Sequence, residues 1–334
     1  MPVGLRMAGN SCWKLAARRP RLARCGSSQP DLVRAFWSRG FRELKADDNN
    51  AIAPAHSPDL VSNLRAATAT ADSNADRASA LIVARGLSKT YSTADSGQVV
   101  ALKNLDFEIF DGEFVSVIGQ SGCGKSTLLK VLGGLLPYTA GTVKFNGKPL
   151  RGPSPEAAVV FQSPVLLPWR TVLDNVLLPI EFRKLSVSEY RQKALDLLQM
   201  VGLYEFAQRY PYELSGGMQQ RAAIVRALVQ DPRLLLMDEP FGALDAMTRE
   251  QMNLELLRIW SQSSKTVIFI THSIAEAIFL SDRVIAMTAR PGSIAEMITI
   301  DLPRPRDLAI INTDRFGRYA AHLRTLLDAR GGVF

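Results

Sequence analysis

Residues 119–126 read Gly-Gln-Ser-Gly-Cys-Gly-Lys-Ser, the G-x-x-x-x-G-K-[ST] pattern of a phosphate-binding loop. The glycines let the backbone curl so that successive N–H groups point at phosphate oxygens, and the helix that follows adds the positive end of its dipole. We expect Lys125 to reach the β- and γ-phosphates of a nucleotide, and the Ser126 hydroxyl to bind Mg²⁺. The predicted nucleotide-binding residues here are Gly119, Gln120, Ser121, Gly122, Cys123, Gly124, Lys125, Ser126 and Thr127. The alternative is a chance match in a Gly/Ser-rich loop, which the preceding strand and following helix disfavour.

Two acids end the apolar run Leu-Leu-Leu-Met-Asp238-Glu239. The tip of a buried strand would place Asp238 beside the metal ion of a phosphate site. Glu239 follows at the mouth of the sheet, where it would orient or deprotonate an attacking water molecule. Surface acids that simply end a strand give the same local pattern. The phosphate loop earlier in the chain favours the metal-binding interpretation.

A second apolar run, Val267–Ile270, ends in the polar pair Thr271-His272. An isolated histidine is more often structural than functional. In the predicted strand order, however, His272 lies at the same edge of the sheet as the phosphate loop, and we expect it to contact the γ-phosphate. His56 and His322 have no comparable context, and no role is predicted for them.

The sequence around these residues alternates between strand-like and helix-like segments. Residues 171–230 are helical with few strand-like runs, and a helix is predicted over Lys125–Leu135. This alternation favours an α/β fold with a mainly parallel sheet and helices on its faces. The helical block is then a subdomain inserted between two strands. The predicted strands are Leu81–Tyr91, Leu105–Ile109, Glu113–Ile118, Thr142–Phe145, Ala157–Phe161, Leu234–Met237 and Val267–Ile270.

Composition places the chain among globular proteins. It has 334 residues, of which 47% are hydrophobic and 22% charged, which excludes a wholly disordered, collagenous or disulfide-scaffold protein. No apolar stretch approaches the roughly 18 residues of a membrane span. The three cysteines, Cys12, Cys25 and Cys123, have no metal-ligand spacing, which fits a reducing intracellular compartment. Within the phosphate loop we expect Cys123 to contribute only its backbone.

The net charge of +8 lies entirely in a basic arm. Residues 1–45 hold 10 Lys/Arg and 2 Asp/Glu, whereas residues 46–334 hold 30 of each sign. The main body therefore gives no reason to expect nucleic-acid binding. Residues 32–45 form a basic amphipathic pattern that fits an anionic membrane surface. A transit peptide, a disordered tail, and upstream sequence from a misassigned start are the other interpretations. Residues 46–80, rich in Ala, Asp, Asn and Ser, are predicted to be a flexible linker.

The segment Leu-Ser-Gly-Gly-Met-Gln-Gln, residues 214–220, precedes the acidic strand and opens an apparent helix, Gln219–Val229. Taken alone, its serine and glycines would be an ordinary helix cap. The order of phosphate loop, Gln162, residues 214–220, acidic strand and His272 resembles the ATPase subunits of ABC transporters over about residues 81–300. In that family two domains enclose two ATP molecules head to tail. The phosphate loop of one then faces Ser215, Gly216 and Gly217 of the other.

The resemblance implies a P-loop NTPase core with an antiparallel β subdomain and an inserted α-helical subdomain at about 163–230. The ATPase domain would span 81–310, followed by a helical tail at 311–334. Tyr91 would stack on adenine, although by itself it would be an ordinary strand aromatic. Gln162 would touch Mg²⁺ and sense the nucleotide, and the loop with Asp245 would cross to the partner subunit. ATP and Mg²⁺ are the implied cofactors.

Three further segments resemble the importer branch that serves nitrate, sulfonate and taurine: Leu166–Val176, Ala289–Ile294 and Leu302–Arg306. The region Glu239–Arg249 also has an importer-like form, while Ser273 stands where Asp is common. This implies a second ATPase subunit, a membrane permease contacted through about residues 163–180, and a substrate-binding protein that acts indirectly. The location would be peripheral, on the cytoplasmic face of the inner (plasma) membrane.

Two alternatives to an importer subunit remain. The first is a non-transport ABC ATPase that acts on DNA or ribosomes, which usually carries a coiled-coil insertion or two ATPase domains. The second is a soluble P-loop kinase, which the segment at 214–220 disfavours.

Overall fold

The computed structural model describes residues 80–92, 97–242, 244–263 and 265–329. The predictions of a basic arm over 1–45 and of a linker over 46–79 lie outside the described residues. So do Ala243, in the loop after the acidic strand, and the last five residues of the predicted tail. Residue 80, the last of the predicted linker, is the first residue of a strand.

A four-stranded antiparallel sheet is built from β1 (Ala80–Ser92), β2 (Gln98–Phe110), β4 (Ala140–Phe145) and β5 (Lys148–Pro149), in the order β2-β1-β4-β5. Alternate residues of β1 are buried: Ile82 and Ala84 face the core, and Arg85 is exposed. This alternation is expected of a sheet with one face on the core. The predicted antiparallel β subdomain is present.

The larger sheet has six strands in the order β10-β9-β3-β8-β7-β6. All neighbouring strands are parallel except the β9–β10 pair. The central strands are buried on both faces, which is why they read as continuous apolar runs. Their carboxyl ends meet at one edge of the sheet, where the candidate functional residues follow. The strands are β3 (Phe114–Ile118), β6 (Ala157–Val160), β7 (Leu234–Asp238), β8 (Thr266–Ile270), β9 (Arg283–Met287) and β10 (Ile294–Thr299).

Seven helices among the described residues complete the fold. Three of them, α2 to α4, lie between β6 and β7 in sequence, where the helical insertion is predicted. They are α1 (Lys125–Leu132), α2 (Val172–Phe182), α3 (Val187–Met200), α4 (Gly216–Leu228), α5 (Ala246–Ser263), α6 (Ile274–Leu280) and α7 (Asp314–Ala329). Short 3₁₀ turns occupy Tyr204–Phe206, Pro211–Glu213 and Leu308–Asn312. None of the helices in the described ranges has the length and apolar character needed to cross a membrane.

Two hydrophobic cores lie on opposite faces of the parallel sheet. On β3, Phe114 packs into the core with helices α2 to α7, whereas Val115 packs into the core with α1 and the antiparallel sheet. On β7, Leu235 packs into the first of these cores and Leu236 into the second. The predicted α/β P-loop fold is confirmed. Because each face of the sheet packs against one of the two cores, the carboxyl ends of the strands are held in place.

Two helix boundaries differ from the predictions. Helix α1 ends at Leu132 rather than Leu135, because Gly133 caps it and Gly134 takes a positive φ of 69°. Helix α4 begins at Gly216 rather than Gln219, because Ser215 caps it by accepting the Met218 N–H at 3.3 Å. Strands β5, β9 and β10 are absent from the prediction.

Candidate functional site

The phosphate loop connects β3 to α1, and its glycines take conformations that other residues avoid. Gly122 and Gly124 have φ of 76° and 102°. A β-carbon at position 124 would lie 2.8 Å from the Ala101 carbonyl oxygen, too close for any other residue. The tight loop predicted from the sequence is therefore a steric requirement at Gly124.

Lys125 is buried and folds back over the loop. Its Nζ donates to the carbonyl oxygens of Gly119 at 2.8 Å and Gln120 at 3.1 Å. The ammonium group is thus held inside the curl of the backbone, where a phosphate group would meet it. Gln120 and Ser121 are exposed along the loop.

The segment that contains Arg290 and Gly292 packs against the phosphate loop. A β-carbon at Gly292 would lie 2.0 Å from the Cys123 carbonyl oxygen, so only glycine fits there. The Arg290 Nη2 lies 2.9 Å from the position of a β-carbon on Gly122. Cys123 is 1% exposed, and burial raises the pKa of its thiol. The segment containing Arg290, recognised in the sequence only as a family likeness, is packed against the phosphate loop.

Asp238 and Ser126 meet at the mouth of this loop. The Ser126 hydroxyl donates to Asp238 Oδ1 at 3.0 Å. Burial, with a smaller contribution from Glu239, raises the pKa of Asp238 above its ordinary value, and the Ser126 hydrogen bond opposes this. A hydroxyl and a carboxylate supply oxygen ligands of the kind that Mg²⁺ prefers. The donor set therefore fits a magnesium site.

Glu239 and His272 form a second pair beside the first. His272 Nδ1 lies 3.1 Å from Glu239 Oε2, and the imidazole is exposed while the carboxylate is partly buried. Parallel pairing of β7 with β8 sets Asp238 opposite Ile270 and thereby brings the two following segments together. Glu239 has a positive φ of 44°, and its N–H donates to the Ile270 carbonyl oxygen at 3.0 Å. Strained backbone of this kind clusters at functional sites.

Gln162 follows β6 and reaches the same place. Its Nε2 and Glu239 Oε2 both lie 3.7 Å from the position of a β-carbon on Gly242. The Gln220 side chain of α4 donates to the Phe161 carbonyl oxygen at 3.3 Å, next to Gln162. The structure thus brings together Gln162, Glu239 and a helix that the sequence placed separately.

Tyr91 stands beside the start of α1. Its hydroxyl lies 3.4 Å from Thr127 Oγ1, and the Lys89 ammonium lies 5.2 Å from the centre of its ring. Tyr91 is 37% exposed, so its side chain is accessible to a planar group from outside.

The predicted residues Ser215 to Gly217 and Asp245 lie close together. A β-carbon on Gly217 would lie 3.2 Å from Thr248 Cγ2 and 3.8 Å from Leu244 Cδ2. The Asp245 carboxylate accepts the Thr248 N–H at 3.0 Å, and contacts with Thr248 lower its pKa. Within the described ranges, no hydrogen bond joins Ser215–Gly217 to residues 119–126. Ser215 and Asp245 are exposed, so these groups are available to another molecule.

Three charged residues of this region were missed from the sequence. Arg226 of α4 donates to the carbonyl oxygens of Pro164 and Val165, each at 2.7 Å. Glu276 of α6 is buried near the Arg249 guanidinium, at 3.6 Å. Arg226 and Glu276 show in the sequence only as charges among apolar helix positions, which are common on any amphipathic helix. Arg249 ends the importer-like segment Glu239–Arg249, but no role is predicted for it from the sequence.

Known proteins resemble the chain in sequence and in fold. A family model described as ABC transporter matches residues 102–242. A taurine import ATP-binding protein of Rhizobium johnstonii is 49% identical over 206 residues, which cover 62% of this chain and 79% of that protein. A nitrate import ATP-binding protein of Synechococcus elongatus is 46% identical over 241 residues, 71% of this chain and 86% of that protein.

The structural comparison points the same way. A solved dimeric structure of an ATP-binding cassette, in a post-hydrolysis state with ADP and phosphate, matches with a TM-score of 0.59 and 34% identity. The match covers 66% of this chain and all of that chain.

Proposed function

The chain belongs to the ABC transporter family as an ATP-binding subunit that hydrolyses ATP, and on that premise we propose the roles of its residues and the solute class it serves. The observation that carries the proposal is the pair of contacts at the carboxyl edge of the sheet. These are Ser126 to Asp238 at 3.0 Å and Glu239 to His272 at 3.1 Å. The Ser126–Asp238 pair could bind a metal ion that is bound to phosphate. The Glu239–His272 pair could bind an attacking water molecule.

ATP binding uses the phosphate loop and Tyr91. The backbone N–H groups of residues 119–127 and the Lys125 ammonium surround the phosphates. Tyr91 stacks on the adenine, held in place by its hydroxyl beside Thr127. Ser126, Asp238 and Gln162 would hold Mg²⁺, which would supply positive charge to offset that of the phosphates.

Hydrolysis is the attack of water on the γ-phosphorus. Glu239 accepts a proton from the water as the new oxygen–phosphorus bond forms, and the bond to the β–γ bridging oxygen breaks. The electron pair of the broken bond stays on ADP. His272 acts here as an imidazolium, whose two ring N–H groups both donate: Nδ1–H to Glu239 Oε2 and Nε2–H to the γ-phosphate, where it stabilises negative charge.

The active site is completed by a second subunit. Ser215–Gly217 opens α4 with free N–H groups, which suit an anion, and is exposed and not hydrogen-bonded to the phosphate loop among the described residues. In a head-to-tail dimer this segment closes over the γ-phosphate bound to the partner, and Asp245 crosses the interface. Each dimer then contains two shared sites.

A groove on the helical subdomain is the proposed permease contact. It has a volume of about 490 Å³, and its lining includes Val165, Leu167, Phe182 and Arg226. Phe182 in the lining is 79% exposed, and Trp169, two residues after Leu167, is 72% exposed, a high exposure for large apolar side chains. We propose that a cytoplasmic helix of the permease seats an apolar side chain here, at about residues 163–180, which places the chain on the cytoplasmic membrane face.

The groove is connected to the nucleotide site through α4. Arg226 holds Pro164 and Val165 at the groove, while Gln220 holds the Phe161 carbonyl oxygen next to Gln162. Both are on the helix that begins with Gly216. Motion of a permease helix in the groove would therefore reach Gln162 and Ser215 through a single rigid element.

The transported solute is proposed from the relatives. Those reported above are named for taurine and nitrate import, and we propose a small solute of this kind, such as nitrate, a sulfonate or taurine, delivered by a substrate-binding protein. Action on DNA or ribosomes is not favoured.

The assignment of the base is tested with Glu239→Gln. This substitution keeps the hydrogen-bonding shape but removes the proton acceptor. We expect ATP binding to persist, the ATP-bound dimer to accumulate, and hydrolysis to fall by a factor of about 100 or more, because a general base contributes about 10²–10⁴ to the rate. Glu250→Gln, an exposed change on the following helix, is the matched control. Near-normal hydrolysis by Glu239→Gln would refute the assignment.

A further inference from the structure

Glu276 is buried but has no part in the reaction proposed above. It lies in the first turn of α6 and is 7% exposed. Burial raises the pKa of its carboxyl group, whereas the Thr271 hydrogen bond and the Arg249 charge lower it. A buried carboxylate is costly unless neighbours compensate it, so its contacts define what it does.

The first set of contacts fixes the backbone on both sides of His272. The Thr271 hydroxyl donates to Glu276 Oε2, and the same hydroxyl oxygen accepts the Ser273 N–H at 2.9 Å. The Ser273 hydroxyl in turn accepts the Glu276 N–H at 3.3 Å. Glu276 therefore constrains the backbone from which the His272 side chain extends.

The second set leads to the loop that carries Asp245. Arg249 Nε lies 3.6 Å from Glu276 Oε1, and Arg249 Nη2 donates to the Leu244 carbonyl oxygen at 2.8 Å. The Arg249 N–H donates to the Asp245 carbonyl oxygen at 2.9 Å. Leu244 also lies beside Gly217. One arginine therefore contacts both the loop and Glu276.

The link between Arg249 and Glu276 is incomplete in the isolated subunit. The Arg249 Nε is a buried donor without a hydrogen-bond partner in the described part of the chain. A movement of about 0.6 Å would bring 3.6 Å to ordinary hydrogen-bond length. A buried unsatisfied donor costs free energy, so closing the gap is favourable once the start of α5 moves.

We propose that the Arg249–Glu276 ion pair is a positioning element that couples the Leu244–Asp245 loop to His272. This rests on the function proposed above, in which the loop meets the partner subunit. Docking of the partner against Asp245 shifts Leu244 and Arg249 toward Glu276. Through Thr271 and Ser273 the closed pair then holds His272 more firmly in the contact that it already makes with Glu239 at 3.1 Å, so hydrolysis is faster in the assembled dimer.

The test is a double-mutant cycle with Arg249→Gln and Glu276→Gln. We expect each single variant to lower kcat by about tenfold and to leave KM for ATP and nucleotide binding unchanged, because neither residue contacts ATP. The double variant should be no slower than the slower single variant, because the two act as a unit. Multiplied losses in the double variant, wild-type kcat in either single variant, or a rise in KM of the same size would overturn the proposal.

The control is Glu255→Gln, which removes an exposed ion pair with Arg258 on the same helix and should leave kcat unchanged. If Glu276→Gln unfolds, Arg249→Lys decides, because lysine keeps the charge but cannot contact both Leu244 and Glu276. We expect kcat to fall there too, and a wild-type kcat would overturn the coupling. Absence of hydrolysis by the unmodified chain would refute the proposed function together with the coupling. Hydrolysis that survives these substitutions would refute the coupling alone.

Discussion

Asp238 is a carboxylate in a position that favours its neutral form. It is partly buried and next to Glu239, and within the described ranges its carboxylate accepts a hydrogen bond from the neutral Ser126 hydroxyl. This arrangement lowers the stability of the nucleotide-free protein, because the ionised carboxylate is partly buried. It favours binding of a cation, because a cation stabilises the ionised form. Function and stability are therefore opposed at this residue.

Asp238→Asn is expected to stabilise the nucleotide-free protein and to abolish Mg²⁺-dependent hydrolysis. Because the folded-state pKa of Asp238 is raised, its ionisation destabilises the fold as pH rises past the ordinary value of 3.8 and through the raised value. The gain in Tm at neutral pH should be about 2–4 °C, the effect of about 1 kcal/mol in a domain of this size. Thermal unfolding at pH 7.5 and at acid pH checks this. A gain that does not shrink in acid would contradict the cause given.

Gly124→Ala tests the steric requirement of the phosphate loop. The added β-carbon meets the Ala101 carbonyl oxygen, and φ of 102° is unfavourable for alanine. We expect nucleotide binding to be lost, with a destabilisation of about 1–3 kcal/mol. Gly152→Ala is the matched control, because a β-carbon there would meet nothing within 4 Å. Isothermal titration with ATP and thermal unfolding give the two readouts, and ATP binding by Gly124→Ala at wild-type affinity would show that the loop tolerates a β-carbon.

At the scale of elements, helix α6 ends on a buried arginine. Arg306 Nη1 donates to the carbonyl oxygens of Ile278, Phe279 and Ser281 at 3.0, 2.9 and 2.8 Å. Burial lowers the pKa of Arg306 to about 10. This side chain satisfies the end of the helix that begins next to His272.

Arg306→Met should destabilise the protein without changing the chemistry. Carbonyl groups left without a partner cost about 1–3 kcal/mol, which lowers Tm by roughly 2–10 °C. Arg315→Met is the control, since Arg315 makes an exposed ion pair with Asp301 and such pairs contribute little. Equal Tm values for the two variants would contradict the capping role of Arg306.

The elements that carry motifs were predictable, and those without motifs were not. The phosphate loop, the acid pair Asp238-Glu239 and His272 each come directly after an apolar run of strand length. These runs locate β3, β7 and β8. Strand β9 was missed although it lies directly beside β3. Its run ends in no functional residue, and nothing local separates it from the end of a buried helix. Arg249 and Glu276 depend on contacts between segments, which no local pattern contains.

At the scale of the whole molecule, charge and chemistry are separate. The excess of +8 belongs to residues 1–45, whereas every predicted site residue lies between Tyr91 and His272. Basic segments attract anionic surfaces whatever the rest of the chain does. The net charge of the chain therefore says nothing about the reaction.

Deletion of residues 1–45 should leave ATP hydrolysis unchanged. No proposed contact to nucleotide, metal or permease involves them. Comparison of kcat and KM for the full and shortened chains, at two salt concentrations, measures this. A fall in kcat at both salt concentrations would show that the arm takes part in the ATPase cycle.

The central claim, that each active site is shared by two chains, is tested most directly by mixing two inactive variants. Lys125→Ala disables the phosphate loop, and Ser215→Arg disables the segment that covers the partner's phosphate. Random pairing makes half the dimers mixed, and each mixed dimer has one site with both parts intact, so about a quarter of the sites are restored. We predict that each variant alone lacks hydrolysis and that the equal mixture regains it. A mixture as inactive as its components would contradict the shared site.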